Sequence, residues 1–327
     1  IMQILLVLTY FILLFNFFKN LKIDRLMMLS IFTPIFILYP VAEIEVLARK
    51  EVFIFCIFLL TIKIKNNFYI NVNKFLILPV AVLIWEPIVF FFPFFIAWDL
   101  INLKLFKFKE IFLKLFPTYL PSLFIAFYIM ISPISLDNHN TMSEFLKNEF
   151  DEVCYMSCAL LKSKQSLYQH LEAQFGRYSF EVLLRYFLVI LVGFGPLFLL
   201  LKNSYLKDKK IFFFKNFKSL LFPYLLLISP IIPLAALAYD WYRWVNVSYF
   251  FSVILYYQLF KNDLIEINNL NLNKFTNILK NKKVFIIIFI IYCFSWNPKT
   301  VMTGDVASFP GYRIPYKVFK IVNLKYF

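Results

Sequence analysis

Residues 220–260, LLFPYLLLISPIIPLAALAYDWYRWVNVSYFFSVILYYQLF, consist of two apolar runs separated by a short charged and aromatic motif. The runs cover residues 220–238 and 245–260, and the motif between them holds Asp240 and Arg243. An ionised side chain in or beside hydrocarbon costs about 2.5–3.5 kcal/mol and persists mainly where it pairs or meets a ligand. The pattern predicts two membrane-crossing helices, with these two charges at the membrane surface between them.

Two interpretations of this motif stay open. As residues i and i+3 of one helical turn, Asp240 and Arg243 are spaced to form an ion pair with each other. Trp241, Tyr242 and Trp244 are typical of the aromatic belt at a membrane surface. The motif is therefore either a helix end that aromatic side chains hold at the membrane surface, or part of a binding site.

The composition indicates a membrane protein of the all-α class. Of 327 residues, 61% are hydrophobic and 21% aromatic, and only 5 are glycine, which is far more apolar than a soluble domain. The net charge of +15 would suggest nucleic acid in a soluble protein. In a membrane protein the positive charge instead marks the loops that face the cytoplasm, so no nucleic acid partner is expected.

The lysines fall into groups, whereas most arginines lie elsewhere. Of 28 lysines, 20 lie in five clusters, and five of the six arginines lie apart from these clusters. The clusters are predicted to be cytoplasmic, and they are Lys19 and Lys22, then residues 63–74, 104–114, 202–218 and 261–283.

Residues 75–102 are too long for one crossing and too short for two full ones. As one helix the 28 residues would reach about 42 Å, against about 30 Å of hydrocarbon. Lysine clusters on both flanks require an even number of crossings, and Pro87 favours a break. We expect two short or re-entrant halves that meet at Glu86 and Pro87, with Glu86 at the outer turn.

The whole chain, residues 1–327, is predicted to be a single polytopic transmembrane helix bundle with about ten crossings. Residues 132–180 form the predicted extracytoplasmic loop, and residues 295–327 form a tail that caps the outer face. The other crossings are predicted at 1–18, 26–41, 45–62, 111–131, 181–201 and 284–294.

On this topology one face collects acids and arginines from well-separated segments. They are Glu43, Glu45, Arg49, Lys50, Glu51, Glu86, His170, Glu172, Arg177, Arg185, Asp240, Arg243, Asp305 and Arg313. Arginine binds a diphosphate through two parallel hydrogen bonds, and a carboxylate or histidine takes a proton from an attacking hydroxyl. A substrate that lies half in lipid and half in water fits such a face.

The candidate catalytic residues are Glu86, Asp240 and His170. The candidate substrate-binding residues are Arg49, Lys50, Glu51, Arg177, Arg243, Arg313, Trp241 and Trp244. No metal site is predicted, because Cys154 and Cys158 have too few further ligands nearby for zinc. No cofactor is expected either.

Three motifs carry a family resemblance, and together they amount to about ten of the 327 residues. They are Arg49-Lys50-Glu51 at the head of a helix, Trp85-Glu86-Pro87 at a turn, and Asp240-x-x-Arg243-Trp244. Their order resembles that of bacterial O-antigen and capsular polysaccharide polymerases. The resemblance implies an enzyme that joins lipid-diphosphate-linked oligosaccharides at the outer face of the bacterial inner (cytoplasmic) membrane. It also implies membrane lipid and other polysaccharide-assembly proteins as partners.

Other classes of function remain open. A multi-helix glycosyltransferase with a lipid-phosphate sugar donor usually carries an acidic motif in its first outer loop, where Glu43 and Glu45 lie. A transporter or flippase would place charges near the bilayer midplane, often with inverted repeats. A non-catalytic membrane subunit would use the charged clusters to contact its neighbours.

Overall fold

The computed structural model describes residues 2–42, 47, 49–64, 70, 72–104, 107–132, 134–154, 168, 171–172, 175–176, 179–207, 214, 217–237, 241–268, 277–294 and 296. Most of these residues are helical, which confirms the all-α class.

In the described part of the first half of the chain, the structure has α-helices and two helical segments of other types. The α-helices are α1 (Met2–Phe18), α2 (Arg25–Ile31), α3 (Tyr39–Ala42), α4 (Glu51–Thr61), α5 (Leu78–Ile84), α6 (Phe92–Asn102), α7 (Phe108–Lys114), α8 (Phe116–Ile131) and α9 (Leu136–Phe150). A π-helix, Asn73–Ile77, leads into α5, and a 3-10 helix, Glu86–Phe91, leads into α6.

The described residues of the second half form further α-helices and two short strands. The helices are α10 (Phe180–Lys202), α11 (Leu221–Ile228), α12 (Ile231–Leu237), α13 (Trp241–Lys261) and α14 (Lys282–Phe294). The strands β1 (Ser204–Leu206) and β2 (Ile265–Ile267) pair antiparallel.

Helix α13 is the centre of the fold. Every residue from 244 to 259 is buried, so the helix is covered on all sides. Aromatic side chains form much of this core: the rings of Phe55 and Phe250 stack with centroids 4.0 Å apart, and Phe58 lies 4.7 Å from Phe251. Packing against α13 therefore organises the surrounding helices.

The predicted crossing at 26–41 is wrong as a continuous helix. Helix α2 ends at Ile31, and non-helical backbone follows as far as α3, because Pro34 lacks a backbone donor and disfavours helix before it. Helix α13 supplies donors to this irregular segment: Asn246 Nδ2 donates to the Ile35 carbonyl at 2.9 Å, and the Tyr249 hydroxyl donates to the Ser30 carbonyl at 2.6 Å. Irregular backbone is tolerated in an apolar bundle where protein groups satisfy it in this way.

The first turns of α4, α10 and α13 lie together. Arg243 of α13 forms an ion pair with Glu51, the first residue of α4. The ring of Trp241 lies 5.0 Å from that of Tyr186 in the second turn of α10. We call this region, defined by Glu51, Tyr186, Trp241 and Arg243, the motif end.

The last turns of the same helices meet at the opposite end. Gln258 Nε2 of α13 donates to the Ile62 carbonyl at the end of α4, at 3.0 Å. Lys261 Nζ donates to the Phe17 carbonyl at the end of α1, at 3.1 Å. Strands β1 and β2, which follow α10 and α13, pair with each other. We call this the lysine end, and its lysines include Lys19, Lys63, Lys202, Lys207 and Lys261.

Residues from four predicted cytoplasmic clusters therefore share one end of the fold. This confirms their common location, whereas the side of the membrane to which they belong stays a prediction. The arginines of the motif end, Arg49 and Arg243, lie at the other end, as the split between lysine and arginine predicts.

The segment 75–102 folds back on itself, as the sequence predicts. Helix α5 ends at Trp85, whose backbone is extended (φ −153°, ψ 90°), and the 3-10 helix and α6 then return. The tip lies at the motif end, because the Trp85 ring stacks on Trp244. The base lies at the lysine end, because Asn73 Nδ2 donates to Thr61 Oγ1 of α4 at 2.5 Å.

The prediction that Lys74 lies in a cytoplasmic loop is wrong. Its side chain is buried in an ion pair with Asp99 of α6, whose side chain is also buried. The Tyr119 hydroxyl of α8 donates to the same Asp99 oxygen at 2.6 Å. A buried charge is tolerated only when it is paired and hydrogen-bonded, and this cluster meets both conditions at the base of the fold-back.

Among the described helices, none alone is long and apolar enough to cross a membrane. Helices α7 and α8, bent by 56° where they join at Leu115, meet the length and composition together. The predicted crossing at 220–238 is likewise divided, into α11 and α12, with Pro230 at the break. The number of about ten crossings stays a prediction.

Two predicted outer segments are described only in part. Within residues 132–180 the structure gives α9, which Ser135 caps by accepting a hydrogen bond from Asn138 N at 3.2 Å. Cys154 is disulfide-bonded, whereas Cys56 and Cys293 are free and buried. Of the predicted cap, 295–327, only Trp296 is described, so that prediction lies outside the described residues.

Two glycines of α10 provide a matched test of the packing. A methyl group added at Gly193 would lie 2.8 Å from Ile35 and 3.0 Å from Trp296, whereas one at Gly195 meets nothing within 4 Å. We expect Gly193→Ala to lower the free energy of unfolding by about 1–3 kcal/mol through overpacking. Gly195→Ala should raise it by up to about 1 kcal/mol, because alanine favours helix. Thermal unfolding in detergent, followed by circular dichroism, measures both; equal stability of the two variants would contradict the packing described.

Candidate functional site

The centre of the motif end is the ion pair between Arg243 and Glu51. Arg243 Nε and Nη2 both donate to Glu51 Oε1, at 2.7 and 2.5 Å. The Glu51 side chain is 5% exposed and that of Arg243 is 23% exposed, so the pair lies at the edge of the buried core. Charge-assisted bonds of this kind are stronger than neutral ones, and they join the starts of α4 and α13.

The second carboxylate oxygen of Glu51 has a different environment. Oε2 is buried and makes no hydrogen bond within the described part of the chain. Leaving a buried acceptor unsatisfied costs about 1–3 kcal/mol, and such groups in folded proteins call for an explanation such as a catalytic or binding role. Glu51 therefore offers an acceptor for a donor group on a ligand.

A second guanidinium group lies beside the first. Arg49 Nη2 donates to the Tyr242 hydroxyl at 3.3 Å, and its guanidinium carbon lies 5.6 Å from the centroid of the same ring. Arg243 lies over the Trp244 ring at 5.4 Å. The positive charges of Arg49 and Arg243 are close enough to repel each other. Among the described residues, two guanidinium groups therefore lie near one carboxylate, an arrangement that suits an anion.

The tip of the fold-back completes the motif end. The Trp85 ring stacks on Phe91 at 5.9 Å and on Trp244 at 6.0 Å. Trp85 therefore fixes the first turn of the 3-10 helix against α13. Glu86, the next residue, is exposed at this tip. The structure thus brings together residues of the three motifs that carry the family resemblance.

An apolar groove of about 600 Å³ opens beside the charged patch. It lies between α10, α11, α12 and α13, and its lining is apolar except for Ser229 and Ser248. Trp241 and Trp244, the neighbours of Arg243 in sequence, line it, and Trp241 is fixed by a 2.9 Å hydrogen bond from Nε1 to the Ala235 carbonyl. A positive patch next to an apolar groove fits a molecule with an anionic head and a hydrocarbon chain.

The structure locates seven of the eleven candidate residues. Arg49, Glu51, Glu86, Arg243, Trp241 and Trp244 lie at the motif end, with Lys50 exposed beside Glu51. The other four candidates, Asp240, His170, Arg177 and Arg313, lie outside the described residues. The pairing of Asp240 with Arg243 therefore stays a prediction. The partner of Arg243 that the structure shows is Glu51, 192 residues away, which helical spacing does not indicate.

Sequence reasoning missed two features. Tyr242 was assigned to the aromatic belt, whereas its hydroxyl accepts from Arg49. The buried cluster of Lys74, Asp99 and Tyr119 was also missed, although Asp99 gave a signal as an acid within an apolar run. In the described part of the chain, no group of three or more His, Cys, Asp or Glu side chains is arranged to hold a metal ion.

Comparisons with the models of known protein families, with characterised proteins and with solved structures found no significant match for this chain. The resemblance to polysaccharide polymerases therefore depends on the three motifs alone.

The Glu51 ion pair predicts an asymmetric response to substitution. Arg243→Met leaves a buried carboxylate without its cation, and we expect it to lower the free energy of unfolding by about 3 kcal/mol. Adding Glu51→Leu should recover most of that loss, because apolar side chains often replace a buried pair at little cost. Unfolding in detergent measures the free energy of unfolding of the native chain, of Arg243→Met and of the double variant. Lys207→Met is the matched control: it breaks the exposed pair with Asp263 and should cost less than about 1 kcal/mol.

Equal losses in Arg243→Met and in the double variant would contradict a stabilising pair between these two residues. A loss in Lys207→Met as large as that in Arg243→Met would show that burial does not govern the cost.

Proposed function

We propose that this chain is an integral membrane protein that acts on lipid-diphosphate-linked sugars at its motif end, as a surface-polysaccharide polymerase. The observation that carries the proposal is the meeting of three distant motifs in one charged patch beside an apolar groove. A structural ion pair alone does not call for the groove, for two arginines, or for the exposed acid at the tip.

The two arginines would bind the diphosphate. A guanidinium group recognises phosphate oxygens through parallel hydrogen bonds. Arg49 lies just before α4 and Arg243 lies in the first turn of α13, so the two groups come from distant segments. The diphosphate would compete with Glu51 for Arg243. Neutralising the departing lipid diphosphate is electrostatic catalysis, which is strongest where water is partly excluded. The hydrocarbon chain of the substrate would lie in the groove beside Trp241 and Trp244.

Among the described residues, Glu86 is the candidate for the general base. In the proposed reaction a sugar hydroxyl attacks the carbon that carries the diphosphate, the carbon–oxygen bond to the diphosphate breaks, and the hydroxyl proton passes to a carboxylate. The exposed position of Glu86 at the tip suits a substrate that arrives from outside the core. Asp240 and His170 are the other candidates for this step, and both lie outside the described residues.

Two observations support an extracytoplasmic motif end. The lysines of four clusters lie at the opposite end, which the positive-inside rule assigns to the cytoplasm. Cys154, in the segment between α8 and the start of α10, is disulfide-bonded, and disulfides persist in oxidising compartments. The proposed location is accordingly the bacterial inner membrane, with the site on its outer side.

A second candidate function, ion-coupled transport, is favoured by one observation. Lys74 and Asp99 form a buried ion pair inside an apolar bundle, and such pairs mark ion and proton pathways in carriers. Glu43 and Glu45, on which the glycosyltransferase alternative depends, lie outside the described residues. The experiment below separates these possibilities, because a carrier of another substrate leaves the glycan unchanged when it is lost.

The direct test is the length of surface polysaccharide in the native host. Deletion of the gene should leave single-repeat glycan, and restoring the native chain should return long chains. Arg243→Lys keeps the charge but loses the planar guanidinium group, which binds phosphate through two hydrogen bonds. Glu86→Gln removes the general base, so neither variant should restore long chains. Gel electrophoresis of the polysaccharide measures the outcome, alongside the amount of each protein in the membrane.

Lys207→Gln is the control, since it removes a charge from the lysine end and should restore chain length fully. Unchanged polysaccharide after deletion would overturn the proposal.

The groove gives an independent test of the lipid-binding part. Ala236 lines the groove, so Ala236→Trp should obstruct it and reduce long-chain polysaccharide by roughly tenfold or more, as misplacement of a substrate does. Leu226→Trp places the same ring on an exposed position of α11 that does not line the groove, and should have no effect. Full activity of an inserted Ala236→Trp protein would contradict a role for the groove.

A further inference from the structure

Three lysines at the C-terminal ends of three different helices converge at the lysine end. Lys261, the last residue of α13, donates from Nζ to the Phe17 carbonyl, two residues before Lys19. Gln258, one turn earlier, donates to the Ile62 carbonyl, next to Lys63. Lys19, Lys63 and Lys261 are all exposed, and we call them the lysine triad.

The triad concentrates positive charge. Burial lowers the pKa of the Lys261 ammonium, and the charges of Lys63 and Lys19 lower it further. The charges of Lys19 and Lys63 therefore disfavour the charge of Lys261, which an anion beside Lys261 would relieve.

The acids described near the lysine end are engaged elsewhere. Asp24 caps α2 by accepting a hydrogen bond from Met27 N at 2.7 Å. Asp263 pairs with Lys207 at 2.7 Å, and Glu266 interacts with the Tyr205 hydroxyl. The positive charge of the triad is therefore not neutralised by these carboxylates.

An apolar stripe along α1 leads up to Lys19, one member of the triad. Leu8, Ile12 and Phe15 are 52%, 59% and 70% exposed, and with Lys19 they occupy one face of the helix. From Leu8 to Lys19 the stripe extends about 16 Å, close to half of a hydrocarbon layer about 30 Å thick. Leu60 of α4, 45% exposed and one turn before Lys63, adds a second apolar position below the triad.

We propose that the lysine triad and the α1 stripe form a binding site for one anionic phospholipid of the adjacent leaflet. The phosphate group lies among the three ammonium groups, and an acyl chain lies along Leu8, Ile12 and Phe15. The charges are complementary, and the length of the stripe matches one leaflet. This site does not depend on the chemistry at the motif end.

Native mass spectrometry of the full chain in detergent tests the site, with dioleoyl-phosphatidylglycerol and dioleoyl-phosphatidylcholine as probes. We expect the native chain to retain phosphatidylglycerol in preference to phosphatidylcholine. Lys19→Gln/Lys63→Gln/Lys261→Gln should bind phosphatidylglycerol about a hundredfold more weakly, since each lysine near a membrane surface contributes a similar share. The double variant Lys19→Gln/Lys63→Gln keeps the Lys261 bond to Phe17 and should bind about thirtyfold more weakly.

The matched control is Lys202→Gln/Lys207→Gln/Lys218→Gln, which removes the same charge from exposed positions near β1. It should keep the affinity of the native chain, and glycerol 3-phosphate, which lacks acyl chains, should not displace the lipid. Equal losses in the two triple variants would overturn the proposal, because net charge alone would then explain binding. Equal retention of phosphatidylcholine, or displacement by glycerol 3-phosphate, would also overturn it.

Discussion

The constraint on which the fold depends is the burial of α13 from Trp244 to Leu259. A helix surrounded by protein must satisfy its polar side chains internally. Asn246, Tyr249 and Gln258 of α13 donate to backbone carbonyls at or just beyond the ends of other helices. Asn246 satisfies a carbonyl of the irregular stretch after α2, and Gln258 satisfies one just past the end of α4. The proline-containing breaks and the polar positions of α13 therefore depend on each other, and both are required for close packing.

Burial of α13 also separates the two ends of the molecule. Its first turn carries Arg243 and its last residue is Lys261, so the helix connects the motif end to the lysine end. Each end gathers charges from helices that are far apart in sequence. The fold-back of residues 73–102 links the same two ends, with the Lys74–Asp99 pair at its base and Trp85 at its tip.

Local patterns in the sequence were sufficient to predict part of this structure. The apolar runs predicted helices, and Pro87 with lysines on both flanks predicted the fold-back at Glu86. The common location of the lysine clusters followed from the alternation of apolar runs and loops. The head of α4 at Arg49-Lys50-Glu51 was also found from the motif alone, although the helix begins at Glu51 and not near residue 45.

Pairing between distant segments was not predictable from those patterns. The contact between Glu51 and Arg243 joins residues 192 apart, and spacing within one helix gives no signal for it. The predicted pairing of Arg243 with Asp240 lies outside the described residues. Lys74 was assigned to a loop because lysines near the end of an apolar run usually lie there; its burial depends on Asp99 and Tyr119, which only tertiary packing brings to it. The groove likewise has no sequence signal, since its apolar lining resembles any core.

We propose that the motif residues share one side of a membrane and that the lysines share the other. Single cysteines at Lys50, Glu86 and Lys207, which are all exposed, test it by labelling in intact cells with a membrane-impermeant maleimide, with the native chain as background. We expect the cysteines at positions 50 and 86 to react with the maleimide in intact cells. The cysteine at position 207 should react only after the membrane is permeabilised. Labelling of positions 50 and 86 from opposite sides, or of 86 and 207 from the same side, would contradict it.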